Sequence, residues 1–341
     1  MNAEQHETRL RLMELVSGGW VSKTIAVAAE LDIADHLAGG PRTVAELAAA
    51  TKTHAPTLRR LLRALAAIGL VVDREDGRFE EAPLLRWLRS DTPGSVRPVA
   101  IVAHGEAHRR GWDDLLHSVR TGETGFDHVY GMGIFDFYAK NPAKSQIFND
   151  AMTQLSTGVA EAVVSAFDFS RFATIADVGG GHGALLAAIL TSAPNSRGIL
   201  FDQPEIADGA VETFRRAGVD DRVEIARGSF FDSVPNGADA YVMKHIIHDW
   251  DDEKSVTIMS RCREAMGSDG RLLLVERLLP ERIADQSAIG GTMMDMNMLA
   301  VSGGKERTES EFRSLFDPAG LSWVGATPTP SPFHVIEARA S

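Results

Sequence analysis

Residues 174–186, with the sequence TIADVGGGHGALL, constrain the fold of this chain more than any other segment. The apolar start at residues 174–178 predicts a buried parallel strand, and the apolar stretch from residue 184 predicts a helix. The glycines between them allow a tight turn whose backbone N–H groups can approach a ligand closely. A strand, a glycine turn and a helix in this order predict a nucleotide-binding α/β fold.

The glycine turn by itself leaves the ligand open. Gly179, Gly181 and Ala184 fit the dinucleotide pattern G-x-G-x-x-G/A, and Asp202 follows at the expected distance. Asp177 lies two residues before the first glycine and favours S-adenosylmethionine (SAM), because a carboxylate there can hold the cationic methionine end of SAM, directly or through water. A nicotinamide-dependent dehydrogenase and a purely structural turn are the alternatives.

Composition narrows the class of protein. The chain has 341 residues, enough for two domains, and its formal net charge of −12 disfavours nucleic acid as a partner. Cys262 is the single cysteine, which excludes an intrachain disulfide and a cysteine-based zinc cluster. Residues 1–11 are polar, unlike a signal peptide, and no apolar run reaches the ~20 residues of a membrane span. We therefore expect a cytoplasmic protein without membrane contact.

The N-terminal region predicts a helical unit. Residues 5–40 carry apolar side chains at helical spacing, which indicates a core or an oligomer interface. Thr43 and Glu46 form a capping box at the start of the next helix. A second helix is predicted from about residue 56 to 68, and a hairpin over residues 70–80. This order predicts a winged-helix outline.

The second helix of that outline carries Arg59, Arg60 and Arg63, so two uses of the unit are open. The arginines could contact DNA, as in winged-helix regulators. Alternatively they form a solvated face while the unit serves dimerisation. The small-molecule features elsewhere in the chain favour a homodimer without nucleic acid.

Residues 99–164 are predicted to be mainly helical and are rich in aromatic, methionine and histidine side chains. Such side chains suit a planar aromatic ligand through stacking and sulfur contacts, and core packing explains many of them equally well. The histidines lack the spacing of metal ligands, so no metal site is predicted.

After residue 170 the pattern alternates between strands and helices. Strands are predicted at 173–178, 197–202, 222–226, 239–244, 271–276, 321–324 and 333–338. This alternation predicts a doubly wound sheet whose ligands gather at the carboxyl ends of the strands. The predicted domains are a winged-helix-like dimerisation domain at 1–100, a helical linker at 101–165 contributing to the substrate pocket, and a Rossmann-like domain at 166–341.

Polar residues at the ends of the second and third predicted strands indicate nucleotide binding. Asp202 ends the second strand, where a carboxylate can accept two hydrogen bonds from a ribose diol; capping the next helix is its alternative role. Ser229 and Phe230 follow the third strand, where an adenine would lie, and a plain loop with a buried phenylalanine is the alternative there.

Two histidines follow the fourth predicted strand, His245 and His248. A histidine at this edge is well placed as a general base near neutral pH, although capping a helix is an equally simple role. We favour His248. Glu276, at the end of the fifth strand, and Glu306 could orient its imidazole and support the imidazolium that forms.

The chain resembles the SAM-dependent O-methyltransferases of the caffeate and hydroxyindole type, including bacterial relatives that act on polyketides, phenazines and other phenolics. The motifs that carry the resemblance are DVGGGHG at 177–183, Lys244 with His248-Asp249-Trp250, GGKERT at 303–308, and Phe148-Asn149 with Met152. The resemblance covers nearly the whole chain. It implies a homodimer that uses SAM and no metal, with a Rossmann-like, seven-stranded doubly wound sheet whose last strand is antiparallel.

The resemblance also implies roles for single residues. His248 would be the base, supported by Glu276 and Glu306, and Phe230 and Trp250 would sandwich adenine. The expected cofactor-binding residues are Ser156, Asp177, Gly179, Gly181, Asp202, Gln203, Ser229, Phe230, Lys244 and Trp250. The expected substrate-binding residues are Phe148, Met152, Asp249, Met294, Asn297 and Met298. Ser229 departs from the family, in which an aspartate often reads the adenine amino group, and this puts that contact in doubt.

The function predicted from the sequence is methyl transfer from SAM to a hydroxyl of an aromatic small molecule, with His248 as general base. Neither the acceptor nor the hydroxyl is named by the sequence, and nitrogen remains open as the methylated atom. The alternatives are a relative that binds SAM but does other chemistry, a winged-helix regulator that senses a SAM-like ligand, and an NAD-dependent dehydrogenase.

Overall fold

The computed structural model describes residues 2–156 and 158–341, apart from the side chains of residues 205 and 208. The chain forms two compact units. The first comprises Met1–Arg110 and Phe135–Thr157, and the second comprises Gly111–Ile134 and Gly158–Ser341. The second unit thus takes up residues 111–134 from within the predicted linker, and the predicted domain boundaries stay a prediction.

The N-terminal half is mainly helical. Its helices are α1 (Ala3–Glu30), α2 (Ile33–Leu37), α3 (Val44–Thr51), α4 (Ala55–Ala67), α5 (Arg97–His104), α6 (Glu106–Asp113), α7 (Leu115–Thr121), α8 (Gly125–Tyr130), α9 (Ile134–Ala139), α10 (Pro142–Ser156) and α11 (Val159–Ala166). Its strands are β1 (Arg42–Thr43), β2 (Val71–Asp73) and β3 (Arg78–Glu81), which pair antiparallel in the order β1–β3–β2.

Local sequence signals explain the winged-helix outline of the first unit. Thr43 and Glu46 cap α3 reciprocally, as predicted: the Thr43 N–H donates to the Glu46 carboxylate at 2.7 Å, and the Glu46 N–H donates to the Thr43 hydroxyl at 3.3 Å. The α4 helix buries Leu58, Leu62 and Leu65. The three arginines of α4, Arg59, Arg60 and Arg63, are exposed.

The long helix α1 presents an uncovered apolar face. Leu12 is 59% exposed and Trp20 is 76% exposed. Leu10, Met13, Leu15 and Val16 share this exposure. Scattered apolar residues are normal on a surface, but a continuous run along one helix indicates an interaction surface.

The second unit is built on a seven-stranded sheet. Its strands are β4 (Thr174–Val178), β5 (Arg197–Asp202), β6 (Val223–Arg227), β7 (Ala240–Lys244), β8 (Arg271–Glu276), β11 (Leu321–Pro328) and β12 (His334–Ala340), in the order β11–β12–β8–β7–β4–β5–β6. Two short strands, β9 (Leu278–Leu279) and β10 (Arg307–Thr308), pair parallel to each other. The last strand, β12, is antiparallel to both neighbours, and this confirms the predicted fold class.

Helices cover both faces of this sheet. They are α11 with α12 (Ala184–Ser192), α13 (Pro204–Ala207), α14 (Val211–Ala217), α15 (Asp252–Ala265), α16 (Ile289–Asn297) and α17 (Glu309–Phe316). Because side chains alternate along a strand, Leu272 and Leu274 of β8 join the core with α15 and α17, while Leu273 and Val275 join the core with α11 and α12. The near-continuous apolar strands read from the sequence follow from this double burial.

The strand register brings the ends of the parallel strands to one edge, called here the carboxyl edge. Asp202 ends β5, Lys244 ends β7 and Glu276 ends β8. The antiparallel β12 enters at the same edge, where its first residue, His334, pairs with Glu276. None of the helices in the described part of the chain is both long and apolar enough to cross a membrane.

Candidate active site

The loop that follows β7 is held by a buried carboxylate. It contains a short helical turn at Ile247–Asp249. The backbone N–H groups of Ile246 and Ile247 donate to Glu276 Oε1 at 3.1 and 2.9 Å. Glu276 is fully buried at the end of β8. Two hydrogen bonds to one side chain at the end of β8 therefore fix the backbone just before His248.

His248 itself is hydrogen-bonded to one carboxylate. Its Nδ1 donates to Glu306 Oε1 at 3.1 Å, and its side chain is 15% exposed. Glu276 Oε2 lies 3.9 Å from Nδ1, which is beyond hydrogen-bonding distance. The structure thus brings the predicted trio together and separates the roles of the two glutamates. Glu306 fixes the imidazole, whereas Glu276 fixes the backbone beneath it.

Three carboxylates set the proton affinity of this site. Burial lowers the pKa of His248, but the charges of Glu276 and Asp249 and the hydrogen bond to Glu306 outweigh burial and raise that pKa to about 10. Burial also raises the pKa of Glu276 to about 7 and the pKa of Asp249 above its ordinary value. The three carboxylates thus favour the imidazolium form, and the expectation that His248 acts as a base near neutral pH stays a prediction.

The glycine pair of the GGKERT motif allows the chain to approach the His248 loop. A Cβ on Gly304 would collide with the carbonyl oxygen of His248 and with the backbone of Asp249. Directly after it, the Lys305 N–H donates to the His248 carbonyl oxygen at 2.8 Å. Only glycine fits this contact, and the contact positions Glu306 beside the imidazole.

Arg307 ties the same loop from below and was not assigned a role from the sequence. Its side chain is 0% exposed. It donates to the carbonyl oxygens of Ile247 at 3.0 Å and Trp250 at 2.8 Å, and to the carboxylate of Asp252 at 2.8 Å. The sequence shows only that Arg307 follows Glu306 in the GGKERT motif, and this position does not indicate which residues the guanidinium contacts. Both ends of the turn that carries His248 therefore bond to this guanidinium.

The glycine turn after β4 has the backbone geometry that a cofactor turn needs. Gly179 lies in the left-handed region with φ of 71°, and a Cβ there would approach the Ile246 side chain to 2.6 Å. Asp202 Oδ2 accepts from the Gly181 N–H at 2.8 Å, and Oδ1 accepts from the Gln203 N–H at 2.7 Å. Burial raises the pKa of Asp202, and these two bonds lower it. The turn and the second strand are thereby joined at the carboxyl edge.

Asp177 is a buried carboxylate at the end of β4 with one oxygen left unsatisfied. Within the described residues, its Oδ2 has no hydrogen-bond partner. Burial raises the pKa of Asp177 to about 7, while the nearby charge of Lys244 lowers it. Burial lowers the pKa of Lys244, and Asp177 and Glu276 raise it. An unsatisfied buried oxygen is costly and fits a ligand that brings a donor or a cation.

The two rings predicted to sandwich adenine are not parallel to each other, and the sandwich stays a prediction. The rings of Phe230 and Trp250 are 6.2 Å apart and meet edge to face at 76°. Phe231 packs edge to face on Trp250 at 4.9 Å. The Ser229 hydroxyl accepts from the Phe231 N–H at 3.2 Å, so it serves the local turn. Trp250 also lines a cavity of about 440 Å³, together with Lys254.

The predicted substrate segment is linked to the catalytic residues. Asp295 of α16, which the sequence analysis missed, accepts from the Glu306 N–H at 3.0 Å. Asn297 Oδ1 accepts from the Trp112 indole N–H at 2.9 Å, and Met298 is buried while Met294 is half-buried. The signal for Asp295 was a lone carboxylate among methionines in a segment already expected to contact substrate.

Three predicted site residues belong to the first unit. Phe148, Met152 and Ser156 lie on α10. The Phe148 ring stacks on Tyr138 with centroids 4.4 Å apart, and Met152 is exposed. Their predicted contacts with cofactor and substrate stay predictions.

The fold also assembles a group of potential metal ligands that sequence spacing did not indicate. Asp114, His117 and His128 place their ligand atoms within 4.8 Å of one another. The two imidazoles stack at 3.8 Å, and His128 Nδ1 donates to Asp114 at 2.6 Å. Stacking and this hydrogen bond explain the arrangement without an ion. None of the three contributes to the His248 cluster, and the predicted lack of a metal in the reaction stays a prediction.

Comparison with known protein families gives two matches. The O-methyltransferase domain family matches residues 112–322. The O-methyltransferase dimerisation domain family matches residues 13–91. The matches fall in both units and include the His248 loop and the glycine turn.

Individual relatives match along nearly the whole chain. The phenazine O-methyltransferase PhzM of Lysobacter antibioticus is 44% identical over 328 residues, which are 96% of this chain and 95% of that protein. The structure of the mitomycin 7-O-methyltransferase MmcR is 38% identical, with a TM-score of 0.93 and 99% of each chain covered. NcsB1, an O-methyltransferase from neocarzinostatin biosynthesis in complex with S-adenosylhomocysteine (SAH) and 1,4-dihydroxy-2-naphthoic acid, is 35% identical, with a TM-score of 0.80 and coverage of 94% and 96%.

Proposed function

The chain belongs to the family of SAM-dependent O-methyltransferases, and from this premise we propose that it methylates a hydroxyl of an aromatic small molecule with His248 as general base. The observation that carries the assignment of the base is the hydrogen bond between His248 Nδ1 and Glu306 at 3.1 Å. The relatives named for phenazine, mitomycin and naphthoic acid chemistry support an aromatic acceptor.

The residues at the glycine turn fit SAM. Asp177 Oδ2 is buried and lacks a partner in the described chain, so it can receive the methionine ammonium. Gly179 supplies the left-handed backbone of the turn, and Asp202 keeps lone pairs for ribose hydroxyls. When bound, SAM supplies an electrophilic methyl group on a sulfonium. The remaining cofactor contacts, at Ser156, Gln203, Ser229, Phe230, Lys244 and Trp250, stay part of this proposal.

The task of His248 is to take the proton of the acceptor hydroxyl. Glu306 occupies Nδ1, which leaves Nε2 as the nitrogen that can accept this proton. The pKa of His248, raised to about 10, lies near the ~10 of an unperturbed phenol, so the neutral imidazole can accept the phenol proton at little cost in free energy. The acceptor oxygen then carries the phenolate charge against an imidazolium. General-base assistance of this kind is typically worth ~10²–10⁴-fold.

Glu306→Gln should move the pH profile of kcat/KM. The pKa of His248 is raised in the folded protein, so the imidazole is protonated below pH of about 10 and activity should rise as pH increases toward that value. Removing the Glu306 charge and hydrogen bond should lower that pKa and shift the rising limb to lower pH. The loss in turnover should be smaller than for His248→Ala. An unshifted limb with wild-type turnover would contradict the role of Glu306.

SAM and SAH should both raise the melting temperature. A ligand at ~100 times its Kd stabilises the native state by ~2.7 kcal/mol. Asp177→Asn should reduce the shift for both ligands, because it removes the charge that meets the methionine ammonium. Methyl transfer is then read by mass spectrometry as the gain of one CH₂ unit on candidate phenols. A shift with NAD, and none with SAM or SAH, would refute the cofactor assignment.

A homodimer is expected, because the apolar face of α1 lies within and beside the matched dimerisation domain and is uncovered in the single chain. Sedimentation at micromolar concentration should give a species near twice 36.9 kDa. Trp20→Glu should weaken the dimer, since it places a charge in the buried interface. A monomeric wild-type protein with full methyl transfer would contradict this expectation.

A winged-helix regulator is the second candidate, favoured by the exposure of Arg59, Arg60 and Arg63. The net charge of −12 disfavours it, and the His248–Glu306 pair has no function in a regulator. Binding to a DNA duplex at low salt, measured by anisotropy and lost in the triple Arg→Ala variant, would support this candidate. The absence of nucleic acid and membrane partners and the cytoplasmic location stay predictions. A relative with non-methylating chemistry is disfavoured by the complete base cluster.

A further inference from the structure

Two basic residues at the carboxyl edge have no role in the reaction as described so far. His245 directly follows β7, and Arg277 directly follows β8. Both pack on Phe333, the residue that precedes β12: the His245 ring centroid lies 4.2 Å from that ring, and the Arg277 guanidinium carbon lies 5.2 Å from its centroid. The three residues form one cluster, which we call the Phe333 cluster.

In the order of the sheet, the Phe333 cluster lies on the side of β7 that is away from the glycine turn. The cofactor turn follows β4, and the sheet order places β7, β8 and β12 successively on the side away from β5. The His245 ring is 5.5 Å from the His248 ring. Adjacent substituents of one aromatic ring can therefore reach His248 and the Phe333 cluster together.

The cluster carries unsatisfied donors. Among the described residues, Arg277 makes no hydrogen bond or ion pair, and its Nε is buried without a partner. His245 Nε2 is also buried without a partner, and the residue has a left-handed backbone with φ of 56°. Unsatisfied buried donors and left-handed non-glycine residues are both unfavourable and concentrate at functional sites. Burial and the nearby charge of Lys244 lower the pKa of His245 well below its ordinary value, so its imidazole is neutral.

The charge balance indicates what these donors bind. Asp249, Glu276 and Glu306 surround His248 with carboxylate oxygens within 3.9 Å. An acceptor with its own carboxylate would be repelled there unless a cation lay beside it. Resting on the proposed function, we propose that Arg277 and His245 form a subsite for a carboxylate on the acceptor, adjacent to the hydroxyl that His248 deprotonates. The guanidinium supplies charge and paired donors, and the imidazole supplies one further N–H.

The test compares hydroxyarene carboxylic acids with their neutral carboxamides on naphthalene and phenazine frames. Wild-type protein should favour the acid over the amide by about 10- to 100-fold in kcat/KM, the range of a charge-assisted hydrogen bond. Arg277→Met keeps a side chain of similar length on Phe333 but removes the charge. It should therefore lower kcat/KM for the acid alone and abolish the preference for the acid over the amide. The exposed Arg282→Met is the matched control and should leave the preference unchanged.

Two further variants and a binding measurement separate the outcomes. Arg277→Lys retains the charge without the planar fork and should give an intermediate preference. Asparagine tolerates the left-handed backbone, so His245→Asn should lower kcat/KM for the acid by a smaller factor than Arg277→Met does. Affinity of the acid for the enzyme–SAH complex, followed by tryptophan fluorescence, should fall with Arg277→Met. Equal kcat/KM values for acid and amide in the wild type would contradict the carboxylate subsite without contradicting methyl transfer. An equal fall in kcat/KM for both substrates in Arg277→Met would do the same. If none of the naphthalene and phenazine compounds were methylated, the proposed function itself would be contradicted.

Discussion

His248→Ala should lower turnover by ~10²-fold or more at neutral pH while leaving SAM affinity nearly unchanged. The imidazole is held by Glu306 on one nitrogen and has the other free for the acceptor, so it acts on the hydroxyl and not on the cofactor. Because a phenol ionises without help near its pKa of ~10, part of the lost rate should return at high pH. Initial rates by mass spectrometry and SAM binding by calorimetry measure the two effects separately.

His248→Asn is the matched variant for this experiment. The asparagine amide can still donate toward Glu306, so the loop should keep its structure while the base is lost. His54→Ala, an exposed histidine of the first unit, should behave as wild type. Wild-type turnover by His248→Ala at pH 7 with a weakly acidic phenol would disprove the assignment, and His245 would be tested next.

Arg307→Met should cost about 3 kcal/mol or more in the free energy of unfolding. The guanidinium is fully buried and donates to two backbone carbonyls and to the exposed carboxylate of Asp252, so its removal takes a charged donor from all three acceptors. Methionine preserves much of the buried stem, which restricts the effect to the lost polar contacts. Urea unfolding with constant slope measures the difference.

The same substitution should also reduce turnover, because Arg307 holds Ile247 and Trp250 on either side of His248. Arg216→Met, at an exposed arginine of α14, is the control and should change stability by less than about 1 kcal/mol. If Arg307→Met and the wild type unfold at the same midpoint urea concentration, the hydrogen bonds of Arg307 do not stabilise the loop.

The sequence alone was sufficient for the fold. Apolar runs and turn residues located all seven strands of the large sheet, because burial on two faces imposes a continuous apolar pattern within a few residues. The capping box at Thr43 is equally local. The glycine turn placed Asp177 and Asp202 at one edge, and the motif around His248 predicted that residue as the base.

Tertiary structure decided what these residues do to one another. Glu276 and Glu306 were expected to share one task, but Glu276 bonds the loop backbone, and Glu306, 58 residues beyond His248, bonds the imidazole. Arg307 acquires its role from carbonyls that reach it from another segment. The edge-to-face geometry of Phe230 and Trp250 likewise depends on loops that have no local code for their relative orientation.

The proton affinity of His248 shows the physical reason most clearly. A sequence motif specifies an imidazole with an ordinary pKa, which predicts titration near neutral pH. The pKa of about 10 results from carboxylates supplied by the loop, by β8 and by the segment before β10, which together outweigh the lowering effect of burial. Coulomb energies depend on distances between atoms that the chain brings together only on folding. The contact of Arg277 with Phe333 likewise forms only on folding. The periodicity of apolar residues that predicts strands and helices is contained within about ten residues of sequence. The electrostatics of this site, in contrast, are determined only by the packing of distant segments.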